Sequence, residues 1–212
     1  MSRIQGMFAG VAKASLALII MMLLAGTAGA GAANTTLRNM QTAFNGESNA
    51  HVRYLAFAKQ ADREGYGEVA SLFRAAARAE QVHAANHAAV IKKMGAVPQA
   101  NIESPEVKST RENLETAIKG ETYERDTMYP DFLKQARLDG NSAAVRSLNF
   151  AKTAEAEHAK LYARSLQNLD KLKGSKSAIF FVCPTCGYTT SEMNFTNCPS
   201  CFTPGEKFEK VA

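Results

Sequence analysis

Ala79-Glu80-Gln81-Val82-His83-Ala84-Ala85-Asn86-His87 decides how this chain folds. The stretch lies in a long Ala-rich segment whose Val69, Phe73, Ala76, Glu80, His83, His87, Val90 and Met94 fall on one stripe at helical spacing. The stripe is apolar at its ends and acidic in its middle. Glu80 and His83 stand at i and i+3, so both side chains leave the same helix face. The pair recurs as Glu155-Ala156-Glu157-His158, on a stripe running Leu148, Ala151, Glu155, His158, Tyr162. Two further segments put carboxylates among apolar residues. One carries Met40, Phe44, Glu47, His51 and Tyr54, and the other Leu114, Ile118, Glu121, Glu124 and Met128.

A carboxylate buried without a partner costs several kcal/mol, and five facing one another would repel strongly. Bound cations remove the conflict, because carboxylate and imidazole are ligands that iron and manganese accept. Two helices carrying Glu-x-x-His opposite two carrying Glu form the donor set of di-iron and di-manganese helical bundles. One such pair alone would most simply be two residues on a solvated face; two pairs in matching helices are a specific signal. Glu124 shares the face of Glu121 and is a fifth candidate ligand, its plainer alternative being a partly exposed surface residue. His51 and His87 read as pocket-edge residues that support ligands, Tyr54 and Tyr129 as core aromatics whose hydroxyls need partners, and Glu157 as solvated.

Punctuation divides the chain into helices over about Thr36–Glu64, Gly67–Met94, Thr110–Asp139 and Ser142–Leu172. Gly65-Tyr66-Gly67 and Asp139-Gly140-Asn141 are tight breaks, so each pair of helices is antiparallel. Ser109 with Glu112 spells a capping box, and Gly95 is placed to stop the second helix. Between the pairs lies a linker of thirteen residues, Ala96–Lys108, with two prolines. Extended, it reaches about 43 Å, and a helix of about 28 residues is about 42 Å long. The linker therefore spans the bundle, which gives a mainly α chain with one long crossover, the ferritin-like arrangement.

With 212 residues, 46% of them apolar, there is material for one sizeable core and a small second one. Arg3 and Lys13, the apolar run Ala14–Ala25 and Ala28-Gly29-Ala30 read as an export signal over residues 1–30, cleaved after Ala30. The expected location is outside the cytoplasm, in a periplasm; an uncleaved membrane anchor is the alternative, though the run is short for a span. Removing Arg3 and Lys13 takes the net charge from +5 to +3 (5 − 2). The remaining Lys and Arg are interspersed with acids, which leaves no basic block for a nucleic-acid backbone.

The bundle proper is expected over residues 34–172, a polar linker over 173–177 and a second domain over 178–212. That domain holds Cys183-Pro184-Thr185-Cys186 and Cys198-Pro199-Ser200-Cys201. Two Cys-x-x-Cys knuckles at this spacing bind one tetrahedral iron or zinc. Two disulfides, or a redox-active pair, are the alternatives in an exported protein.

Taken together, the chain resembles the rubrerythrins. The matching pieces are Phe44-Asn45-Gly46-Glu47-Ser48, Glu80-x-x-His83, Gly120-Glu121-x-x-Glu124, Met128-Tyr129-Pro130 and Glu155-x-x-His158, with rubredoxin-like knuckles at the end. The resemblance implies that Glu47, Glu80, His83, Glu121, Glu124, Glu155 and His158 bind two irons. Cys183, Cys186, Cys198 and Cys201 would bind a third, zinc being the alternative there. It also implies that Glu124 and His83 exchange as ligands with redox state, and that Tyr54 and Tyr129 stand close to the metals. The implied activity is reduction of hydrogen peroxide to water, with electrons from a donor protein. Family members form homodimers in which one subunit's rubredoxin-like domain faces the other's di-iron site. Two departures stand out: the export signal, and Phe202 where stand-alone rubredoxins carry Gly. The competing readings are a ferroxidase or iron-handling protein with a structural tail, and a metal carrier with zinc in the tail.

Overall fold

The computed structural model of the chain describes the backbone of residues 14–212 and the side chains of residues 35–212. The export signal expected over residues 1–30 falls outside the residues described with side chains. The first helix, α1, spans Ala14–Arg63 and so begins ahead of the expected Thr36; no proline interrupts the chain before Pro98. Among the described residues no helix is long and apolar enough to cross a membrane.

Next come α2 (Gly67–Lys93), α3 (Thr110–Tyr123), a π-helical turn over Glu124–Met128, α4 (Tyr129–Leu138), α5 (Ser142–Gln167) and the short α6 (Leu169–Leu172). The helix expected over Thr110–Asp139 is thus one rod with a wide turn inside it. The wider ring opens at Glu124 itself, three residues after Glu121, and π-turns concentrate where a helix must re-aim side chains toward a site. The capping box forms, Ser109 accepting from the Glu112 amide and Glu112 accepting from Ser109. Gly95, at φ 80, ends α2 in the left-handed region that other residues avoid.

The crossover runs along α1. Gln41 donates to the Val97 carbonyl at 2.7 Å, Asn45 accepts from the Asn101 amide at 2.8 Å, and Asn49 accepts from Glu103 at 2.9 Å. At its far end Glu64 takes the Thr110 amide at 2.9 Å. Gln41, Asn45 and Asn49 are four residues apart, so one face of α1 reads out the linker's backbone.

Two apolar clusters fill the bundle. One gathers Tyr54, Phe57, Phe73, Leu114 and Tyr162, with Phe73 and Tyr162 ring centroids 5.1 Å apart. The other gathers Met40, Ile91, Tyr129, Leu133 and Leu148. In each helix the acidic residues fall in sequence between the members of the two clusters, so the bundle is apolar at both ends and charged at its waist. Full burial of one such side chain contributes about 1.5–3 kcal/mol, which offsets the cost of that waist.

The C-terminal domain is a three-stranded antiparallel sheet of β1 (Phe180–Val182), β2 (Thr189–Thr190) and β3 (Glu209–Val211), in the order β2-β1-β3. It is not separate from the bundle. Phe180 and Val182 belong to the first apolar cluster, Asn86 donates to the Thr185 carbonyl at 2.9 Å, and Arg74 donates to the Ala212 carbonyl at 2.6 Å.

Candidate metal centre

Glu47, Glu80, Glu121 and Glu155 are at most 1% exposed, and so are His83 and His158. Their donor atoms form two overlapping sets. Glu47, Glu80, His83 and Glu155 converge within 4.8 Å, and so do Glu80, Glu121, Glu155 and His158. Each Glu-x-x-His helix therefore gives one imidazole to one set and one carboxylate to both, while α1 and α3 each close one set with a single Glu. Glu124 is in neither set. It opens the π-turn, half-buried, where burial and then the charges of Glu47, Glu155, Glu121 and Glu80 push its carboxyl well above the ordinary range.

His83 Nδ1 lies 2.8 Å from Glu80 and 3.1 Å from Glu155. His158 Nδ1 lies 2.9 Å from Glu155, 3.3 Å from Glu80 and 3.6 Å from Glu121. Burial alone would lower both imidazoles, but the surrounding carboxylates win and raise them well above 6.5. Burial likewise pushes Glu80 up, yet the two imidazoles outweigh it and hold Glu80 at about 2. Glu155 goes the other way, raised by burial and by Glu80.

Several of these groups have nothing to bond to. Glu47 Oε2, Glu80 Oε1, Glu121 Oε2, both oxygens of Glu155 and His158 Nδ1 are buried without a hydrogen-bond partner; the close imidazole–carboxylate approaches of His158 are not aligned as hydrogen bonds. Orphaned acceptors that converge on two points fit two cations. Four buried carboxylates carry −4, which two divalent ions neutralise.

Two tyrosines brace the set. Tyr54 donates to Glu121 and Tyr129 donates to Glu47. Both are buried, and burial followed by the nearby negative charge raises both phenols, so they keep their protons. Tyr129 also meets His87 Nε2 at 3.2 Å, and His87 Nδ1 meets Ser147 Oγ at 2.7 Å. His51 instead binds the Ala77 carbonyl at 2.6 Å, and Glu157 pairs with Lys160 at 2.7 Å. Sequence reasoning missed Arg53, whose guanidinium lies 5.3 Å from the Tyr54 ring centre.

In the C-terminal domain all four cysteines are free. Cys183 and Cys201 sulfurs are 3.5 Å apart, as are those of Cys186 and Cys198. A disulfide would need about 2.05 Å; thiolates around one metal at about 2.3 Å stand about 3.8 Å apart. A hydrogen bond from Cys186 lowers the Cys183 thiol to about 5, which favours the thiolate.

The two centres touch through protein. His83 Nε2 lies 3.1 Å from the Cys186 carbonyl oxygen, and His158 Nε2 lies 3.0 Å from Thr189 Oγ1. The four-cysteine domain thus packs on the carboxylate site of its own chain.

The rubrerythrin family model matches residues 38–166. The chain is 38% identical over 178 residues to nigerythrin of Nitratidesulfovibrio vulgaris, covering 84% of this chain and 87% of that protein. It is 34% identical over 172 residues to rubrerythrin-2 of Clostridium acetobutylicum, covering 80% and 93%. Fully reduced, all-ferrous nigerythrin superposes with a TM-score of 0.76 at 37% identity, over 82% of this chain and 86% of that one. A bacterioferritin of Desulfovibrio desulfuricans, 23% identical, covers 70% of this chain and 92% of its own at a TM-score of 0.64, a likeness of fold. The buried carboxylates and imidazoles are a di-iron site and the four thiols a second metal site. The chain belongs to the rubrerythrin family.

Proposed function

We propose that this protein is a non-haem di-iron peroxidase that reduces hydrogen peroxide to water, fed with electrons through its four-cysteine iron centre. The balance is H2O2 + 2 e⁻ + 2 H⁺ → 2 H2O. When bound, the two irons supply two electrons together and a Lewis-acidic place for the peroxide oxygens.

The observation that carries the reading is the hydrogen bond between His83 and the Cys186 carbonyl. It joins a ligand of one centre to a ligand residue of the other by one short contact. A two-electron reaction at a buried site needs a way to be re-reduced, and such a contact provides it. Tyr54 and Tyr129 hold Glu121 and Glu47 in orientation by donated hydrogen bonds, and the apolar clusters above and below exclude bulk water from the waist. The assembly we expect is a homodimer. On the N-terminal pattern we place the protein outside the cytoplasm; N-terminal sequencing that returned Met1 from a membrane fraction would replace that with an anchored form.

Replacing Cys183 with Ser tests the relay. Single-turnover oxidation of the pre-reduced di-iron site by peroxide should persist, while steady-state turnover with a protein donor should fall severely. Steady-state turnover near wild type with the tail iron absent would reject the relay and put iron handling first.

A further inference from the structure

We infer that Thr189 is a positioning residue for His158, so that the four-cysteine domain holds half of the di-iron site in its metal-binding form. The inference rests on His158 being a metal ligand.

Thr189 lies on β2, 1% exposed, paired across the sheet with Val182 at the base of the first knuckle. Its hydroxyl has one proton, and it donates that proton to the Gly187 carbonyl at 2.9 Å. Toward His158 Nε2, 3.0 Å away, only its lone pairs remain. The contact therefore requires the proton on Nε2. In the neutral imidazole, the form a metal binds, that leaves Nδ1 as a lone pair, aimed at the point where Glu80, Glu121 and Glu155 converge. The hydroxyl selects the tautomer a metal needs.

His83 is fixed in the same sense but by different means. Its Nε2 meets the Cys186 carbonyl, which can only accept and which no side-chain substitution removes. Thr189 is thus the contact of the two that a single side-chain substitution can remove. The bundle contributes neither bond: both ligating imidazoles take their outer hydrogen bonds from the tail. Docking of the four-cysteine domain therefore tightens the hold on the bundle metals without being required for it.

The test uses the whole chain with its four-cysteine centre filled, and cobalt(II) as the probe of the carboxylate site. Thr189→Val keeps the shape and removes the hydroxyl; Thr189→Ser keeps the hydroxyl. Thr189→Val should bind cobalt(II) about 10–100-fold more weakly, the usual effect of losing such an outer bond, and Thr189→Ser should match wild type. In zinc-loaded protein, 15N imidazole shifts should report Nε2–H at residue 158 in wild type and Thr189→Ser. Wild-type affinity in Thr189→Val, or an equal loss in Thr189→Ser, overturns the inference. His158→Ala separates the two levels of the claim. If that variant keeps full cobalt stoichiometry, the ligand assignment fails; if it loses metal while Thr189→Val does not, only the role of Thr189 fails.

Discussion

Arg78 on α2 grips Glu209 on β3 with two hydrogen bonds, Nε to Oε2 at 2.6 Å and Nη2 to Oε1 at 2.8 Å. The clamp stands two residues before Glu80, so the last strand of the tail is tied to the helix that carries the first Glu-x-x-His. Both side chains are about a third exposed, and an ion pair so placed stabilises by at most about 1 kcal/mol. Arg78→Ala should therefore leave the fold and iron content intact. Steady-state turnover should drop several-fold as the tail spends time undocked. Iron analysis beside donor-dependent kinetics checks both halves.

Glu80→Ala and Glu155→Ala each remove a carboxylate common to both donor sets. Either should empty the di-iron site while the four-cysteine centre stays filled. The metal-free fold should hold, because a charge has left a repulsive cluster. Elemental analysis giving three irons per chain in either variant would overturn the ligand assignment.

Gly187 sits at φ 77, and a Cβ there would run into His83 Nε2 and lie 2.7 Å from Cδ2. Gly187→Ala combines backbone strain of about 1–3 kcal/mol with a clash at the junction of the two centres. The knuckle should back away from His83. Single-turnover oxidation by peroxide should survive and re-reduction through the tail should slow, as stopped-flow at the two centres' absorption bands would reveal.

Stability should depend on pH in opposite ways with and without metal. His83 and His158 hold protons well above 6.5 in the metal-free fold. A raised folded-state pKa contributes stability that is fully present below the unfolded value and lost as pH rises through the folded one. Glu155 and Glu124, raised from 4.5, act in the same sense. Glu80, held at about 2, opposes them only at the acid end. Metal-free protein should thus melt at lower temperature at about pH 9 than at about pH 6. Metals displace those protons, so the loaded protein should lose iron on acidification. Melting curves with and without chelator read both slopes.

Much of the site was legible because its pattern breaks a strong rule. Glu47, Glu80, Glu121 and Glu155 sit on stripes that burial reserves for apolar residues, and the Glu-x-x-His spacing names the helix face. The crossover was legible from length alone, since thirteen residues match one bundle length. The π-turn was not, because Glu124–Met128 carries no glycine or proline to mark it. The seat of the tail was equally hidden. Residues 173–177 read as a polar linker, and nothing in them announces that the Gly67 amide donates to the Ser175 carbonyl at 3.2 Å or that the Ala178 amide donates to Ser71 at 3.2 Å. Thr189 gave no signal, as a threonine in a strand is ordinary.

The crossover that lies along α1 is also a ruler. Asn45 and Asn49 straddle Glu47 and read linker positions 101 and 103, while Glu64 marks where α3 begins. A helix that slips by one residue moves its side chains about 1.5 Å along the axis and about 100° around it, enough to take Glu121 out of its donor set. The thirteen linker residues therefore set the phase of α3 against the other three helices. Shortening them by one should be felt as lost metal well before it is felt as lost helix. Among the described residues the longest loop is a calibrated part of the metal site.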